Sequence, residues 1–157
     1  MSAQTIFDAA PLGALIQFSD GSPRPPARFK KKLAAWENRN NVGRLIRKQN
    51  EKLTGTTTLH ANFTLHQSDH SSAGVVVLRV YRTFSVDSEL TFSILERPAI
   101  GSVRVFSRAG ESGELVYLAC DREDAASWLK SHGYPDAVLD EVVGDDPMMA
   151  SSAGRAA

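Results

Sequence analysis

The chain has 157 residues, 42% hydrophobic and 23% charged, and its 18 basic and 18 acidic side chains give a formal net charge of zero. This length and balance predict one globular domain with a core that needs neither disulfide nor metal, and the single Cys120 excludes an internal disulfide and a multi-cysteine zinc site. No apolar run approaches the ~20 residues that span a bilayer, and "MSAQTIFDAAPLGA" lacks the basic-then-apolar layout of a secretory leader, so a cytoplasmic protein without membrane contact is expected.

Residues 1–10 are short, mixed and without periodicity, and read as a flexible N-terminus ahead of a single domain over 11–143. "LGALIQF" reads as a first strand, ended by the turn signal Asp20-Gly21 and by Pro23, Pro25 and Pro26. A helix then runs from Arg28 to about Asn40, with Phe29, Leu33 and Trp36 on one stripe. Gly43 marks its stop, and "RLIRK" is a short strand. Thr58–His66 alternates apolar and polar residues, as a half-buried strand does, and "QSDHSSAG" reads as a polar turn. Val75–Val86 carries the longest β signal, with Glu89–Glu96 expected to pair with it as a hairpin. "SVRVFSR" and Glu114–Cys120 are further strands. Asp121 is a helix N-cap, Asp124 resembles a capping-box acid, and Ala125, Trp128, Leu129 and His132 follow helical spacing up to Gly133 and Pro135. Asp136–Val143 is a last strand candidate, and 144–157 reads as a flexible tail. The sum is an α+β fold: a mainly antiparallel sheet of about six or seven strands, with two helices packed on one face.

No motif specifies a reaction. His60, His66 and His70 match no metal-ligand spacing and read as solvent-face residues, and His132 belongs to a helix C-terminus. Cys120 precedes a helix N-terminus, but the acids Asp121, Glu123 and Asp124 oppose thiolate formation there. There is no serine elbow and no glycine-rich phosphate cradle, and Asp140 and Glu141 point to opposite faces of a strand. No catalytic residue, metal or cofactor is assigned, and a non-catalytic protein is expected.

The zero net charge conceals a polarity. Ten basic residues between Arg24 and Lys52 face only Glu37 and Glu51, whereas ten acids between Glu111 and Asp146 face only Arg122 and Lys130. On the first helix, Arg28, Lys32 and Arg39 share a flank beside Ala35, with Arg24 before it and Arg44, Arg47 and Lys48 after. That layout suits an anionic partner, nucleic acid or an acidic protein surface. It also permits self-association between basic and acidic halves. A second surface arises if Arg79, Tyr81, Arg104 and Tyr117 meet on the open sheet face, as a platform for bases or a protein partner. Arg82, on an otherwise apolar face, marks an edge, an ion pair with Asp87 or Glu89, or a contact. The expectation is a regulatory or accessory binding protein for nucleic acid or nucleoprotein, with a protein–protein adaptor, inhibitor or self-associating subunit as the alternative and a small enzyme third.

Overall fold

Period-two alternation builds the first layer. The structure, a computed structural model, describes residues 1–110 and 112–143, so the expected tail over 144–157 lies outside the described residues. Five antiparallel strands form one sheet: β1 (Leu15–Ser19), β2 (Asn41–Gln49), β5 (Asn62–Ser72), β6 (Val75–Ser85) and β7 (Thr91–Glu96), in the order β6-β5-β2-β1-β7. Between β2 and β5, β3 (Lys52–Thr54) and β4 (Thr57–Leu59) make a separate exposed ribbon. Ile16, Phe18, Leu45, Phe63, Leu65, Phe84 and Phe92 point to one buried side. β6 and β7 are opposite edges, yet Phe84 lies 5.3 Å from Phe92, and Phe18 lies 4.9 Å from Phe84. The sheet therefore curls until its two edges share one aromatic core, as strands do when a sheet approaches closure.

Two expectations change here. β6 and β7 follow one another but do not pair, because β7 crosses to the far side of β1. The β5 strand also continues through the segment read as a turn, and the chain reverses at Ala73-Gly74, with φ of 52° and 79°. Two consecutive positive φ angles match the twist of a two-residue hairpin. Arg82 sits on the edge strand β6, its guanidinium 5.8 Å from the Phe18 ring and 5.7 Å from the Phe84 ring. Cation–π contact explains its place on an apolar face.

Residues 1–10, expected to be loose, carry helix α1 (Ala3–Ala9). The Ser2 hydroxyl accepts from the Thr5 amide at 3.2 Å, and Ala3, Ile6 and Ala10 are fully buried in the aromatic core. The terminal amine donates to the Phe92 carbonyl at 2.7 Å, and the Phe92 amide returns a 2.7 Å bond to the Met1 carbonyl. At i, i+3 and i+7 the three buried residues form one face, but seven residues are too few to display a period.

A second layer holds β8 (Val103–Phe106), β9 (Leu115–Ala119) and β10 (Val138–Glu141) in the order β10-β8-β9. Helix α3 (Arg122–Lys130) packs over its own core of Val103, Val105, Ala119 and Ala125. Asp121 caps α3 as expected, accepting from the Asp124 amide at 2.7 Å, while Asp124 reaches one residue further back, to the Cys120 amide at 3.1 Å. The layers meet where Gly13, at φ 97°, lies against Leu115 and Leu118. Buried Arg104 also donates to the Leu12 carbonyl there, at 3.2 Å.

The fold is thus α+β and antiparallel, but its strands divide among sheets of five, three and two, rather than forming one of six or seven. Three helices are present among the described residues, and of these α1 and α3 bury a face. Helix α2 (Lys30–Glu37) has no buried residue, so its Phe29–Leu33–Trp36 stripe is not core. No helix among the described residues is long and apolar enough to cross a membrane.

Candidate functional site

Prolines and polar hooks place α2 outside both cores. The Phe29 amide bonds the Pro26 carbonyl at 3.0 Å, and the helix starts without a side-chain cap. Its first turn is Lys30-Lys31-Lys32, with no acid. Three cations at a helix N-terminus oppose the helix dipole, which favours negative charge there. The far end is tied down. Asn40 donates to the Trp36 carbonyl and to Asp20, and accepts from Ser19, while the Trp36 indole donates to the Ser22 carbonyl at 3.0 Å. Hydrogen bonds from the Ser22 hydroxyl and amide, then from Asn40, with Arg39 nearby, hold the Asp20 carboxyl down to about 2.

The cations read from the sequence separate into two groups. Around α2, Arg28 and Lys32 rest over the Phe29 ring, at 4.8 and 5.1 Å, and Phe29 stays 41% exposed. Arg24 lies 5.9 Å from the Trp36 ring, and Arg39 pairs with Asp20 at 3.4 Å. On β2, by contrast, the cations are committed internally. Arg44 donates to the Gly13 carbonyl at 2.6 Å and Arg47 pairs with Glu114 at 3.3 Å. Lys48 lies near Phe7, and partial burial, opposed in part by Asp8 and reinforced by Arg104, brings it down to about 8. The Arg47–Glu114 bond joins the basic and acidic segments within one chain.

Of the expected platform, Arg79, Tyr81 and Tyr117 do line one groove, of about 640 Å³, between the outer face of the five-stranded sheet and the second layer. Arg104 does not. Residues directly opposite in an antiparallel pair share a face. Arg104 lies opposite Leu118, whereas Tyr117 lies opposite Val105, so the two point to opposite sides of the small sheet. Arg104 is 3% exposed and paired with Asp140. In the groove, Trp128 stacks on Tyr117 at 4.9 Å, on His132 at 3.9 Å and on Tyr134 at 5.5 Å. Sequence reading missed Trp128, His132 and Tyr134 as groove residues; Trp128 does pack against the core of the small sheet, as its helical spacing implies, and also lines the groove. The Tyr117 hydroxyl donates to Asp124, which raises its pKa, with partial desolvation adding to the effect. His132 Nδ1 donates to the Trp128 carbonyl, 2.8 Å away, as a helix C-terminal residue should.

Opposite, His66 contacts Asp69 at 2.6 Å and Tyr81 ring to ring at 5.5 Å. Arg79 lies 3.8 Å from Asp69. Partial burial lowers its pKa, but the Tyr81 hydroxyl and Asp69 outweigh that and raise it. Cys120 is exposed, and desolvation with Asp121 and Asp124 pushes its thiol up, away from nucleophilic form. Among the described residues, no group of three or more His, Cys, Asp and Glu side chains is placed to hold a metal.

No curated protein and no solved structure matches the chain. A family model does match, over residues 1–146, and the chain therefore belongs to the family described as "Uncharacterised conserved protein UCP036055".

Proposed function

We propose that this chain is a cytoplasmic, non-catalytic accessory protein that binds nucleic acid or a nucleoprotein through the exposed surface of α2. The observation that carries this reading is the uncapped, triple-lysine first turn of α2, on a helix with no buried residue. Isolated short helices are marginal, and their stability normally comes from a packed face. This helix buries no residue fully and only half-buries Leu33 and Trp36, and its N-terminal charges oppose its dipole. A phosphate backbone would satisfy both the open amides and the lysines. Arg28 and Lys32, beside the exposed Phe29 ring, extend the same surface. Contacts of this kind are electrostatic and carry no sequence code. A second reading, an acidic protein surface or a second copy of the chain, is favoured by the charge polarity, since among the described residues no α2 lysine is paired with the acidic segment, while Arg47 uses one acid, Glu114.

The test is retention on an immobilised single-stranded oligonucleotide at low salt, for the native chain and for Arg28→Glu/Lys32→Glu. Retention that weakens with salt and is lost in the variant supports the reading. Absence of retention at low salt removes it, and binding of an acidic protein under the same conditions would favour the second.

A further inference from the structure

The inter-sheet groove is independent of α2 and carries its own inference. Rings buried in the aromatic core meet at tilted or edge-on angles, from 33° to 81°. Across the groove His66 and Tyr81 are also tilted, at 49°, but the rings on its α3 side are not. Tyr117, His132 and Tyr134 lie within 6°, 10° and 15° of the Trp128 plane. A parallel array open to a cavity presents flat faces on which another flat ring continues the stack. The groove also holds cationic donors. Arg79 lies 3.8 Å from Asp69, beyond hydrogen-bond distance, while Asp69 is engaged by His66 at 2.6 Å. The Tyr81 hydroxyl takes one of its donors, and a five-donor guanidinium then keeps others for a ligand. Arg108 lines the same groove, is exposed and has no ion-pair partner among the described residues. The volume, about 640 Å³, lies within the roughly 300–1,000 Å³ of small-molecule sites.

The geometry points to a ligand site in this groove for a planar heteroaromatic ring carrying an anionic group, a nucleoside monophosphate in free form or at the end of a strand. The ring extends the Tyr117–Trp128–Tyr134 array, and the phosphate meets Arg79 and Arg108. Guanidinium donors suit a phosphate because their fork matches two of its oxygens.

The experiment titrates the Trp36→Phe protein, in which Trp128 is the one remaining tryptophan of two, with adenosine monophosphate, adenosine and inorganic phosphate. Trp128 fluorescence and calorimetry report binding. A short single strand with and without a 5′-phosphate, used as competitor, separates the free from the strand-end source. The nucleotide is expected to bind saturably and quench Trp128, more tightly than adenosine or phosphate. Tyr134→Ala should weaken it roughly 5- to 150-fold. Arg108→Gln, at an exposed position, should weaken the nucleotide but not adenosine. No saturable signal at millimolar nucleotide, or phosphate binding as tightly as the nucleotide, overturns the inference. Affinity unchanged in both variants, with their melting curves intact, does the same. Arg28→Glu/Lys32→Glu should leave this affinity unaltered, so this site and the α2 surface fail separately.

Discussion

Replacing Phe84 by alanine tests whether the five-stranded sheet closes on itself. Phe84 belongs to one edge strand, and in a flat sheet its ring would lie far from Phe92 on the other edge. In the curled sheet it is 6% exposed and touches Phe18, Phe63 and Phe92, at centroid distances of 4.9, 5.7 and 5.3 Å. Truncating such a ring removes its transfer free energy and leaves a cavity, together about 3–5 kcal/mol. For a chain of 157 residues, at about 2–4 °C per kcal/mol, that is a fall in Tm of roughly 6–20 °C. Urea unfolding of Phe84→Ala, Phe92→Ala and the double variant isolates the cross-edge contact. The aromatic pair should couple by about 0.5–1.5 kcal/mol. A loss below about 1 kcal/mol for Phe84→Ala, or strict additivity with Phe92→Ala, would refute the closure.

Two further outcomes follow from local geometry. A β-carbon at Gly43 would lie 2.7 Å from the Leu65 β-carbon and 3.2 Å from the His66 carbonyl oxygen. Gly43→Ala should therefore push β2 from β5 and cost about 1–3 kcal/mol in urea unfolding, and a neutral result would contradict the close approach of the strands. Lys48 is held at about 8 against an ordinary 10.5. The unfolded chain then binds more protons between those values, so this group costs stability at neutral pH and the cost disappears as pH rises from about 8 to 10.5. Lys48→Met should melt higher than the native chain at pH 7, with the gap closing over that window. A gap that is constant with pH would show that Lys48 is not desolvated.

Much of the fold was legible because strand alternation and caps are local signals. Phe63 and Leu65 declared the inner face of β5, and Asp121 declared the start of α3. Helix α1 escaped because its buried face has only Ala3, Ile6 and Ala10, two of them too small to stand out. Helix α2 misled in the opposite sense. Phe29, Leu33 and Trp36 do form a stripe, but periodicity says nothing of what covers it, and Leu33 and Trp36 are only half-buried while Phe29 is exposed. The groove was half legible. Arg79 and Tyr81 were placed together by their parity on one strand. Tyr117 joined them through the packing of two sheets, which sequence cannot register, and Arg104 was lost to the register that sets it opposite Leu118. The β6–β7 pairing failed for a related reason: short loops favour neighbours, but a curling sheet places the second strand against β1 instead.

The claim that α2 is an electrostatic nucleic-acid surface is tested most directly by the salt dependence of binding to a single-stranded oligonucleotide. With three to five phosphate contacts drawn from Arg24, Arg28 and Lys30 to Lys32, the slope of log K against log salt should be about −2 to −3.5. Arg28→Glu/Lys32→Glu removes two of those contacts and should flatten the slope by about 1.4, as well as weakening binding. A salt-independent affinity, or a slope unaltered in the variant, would contradict the account.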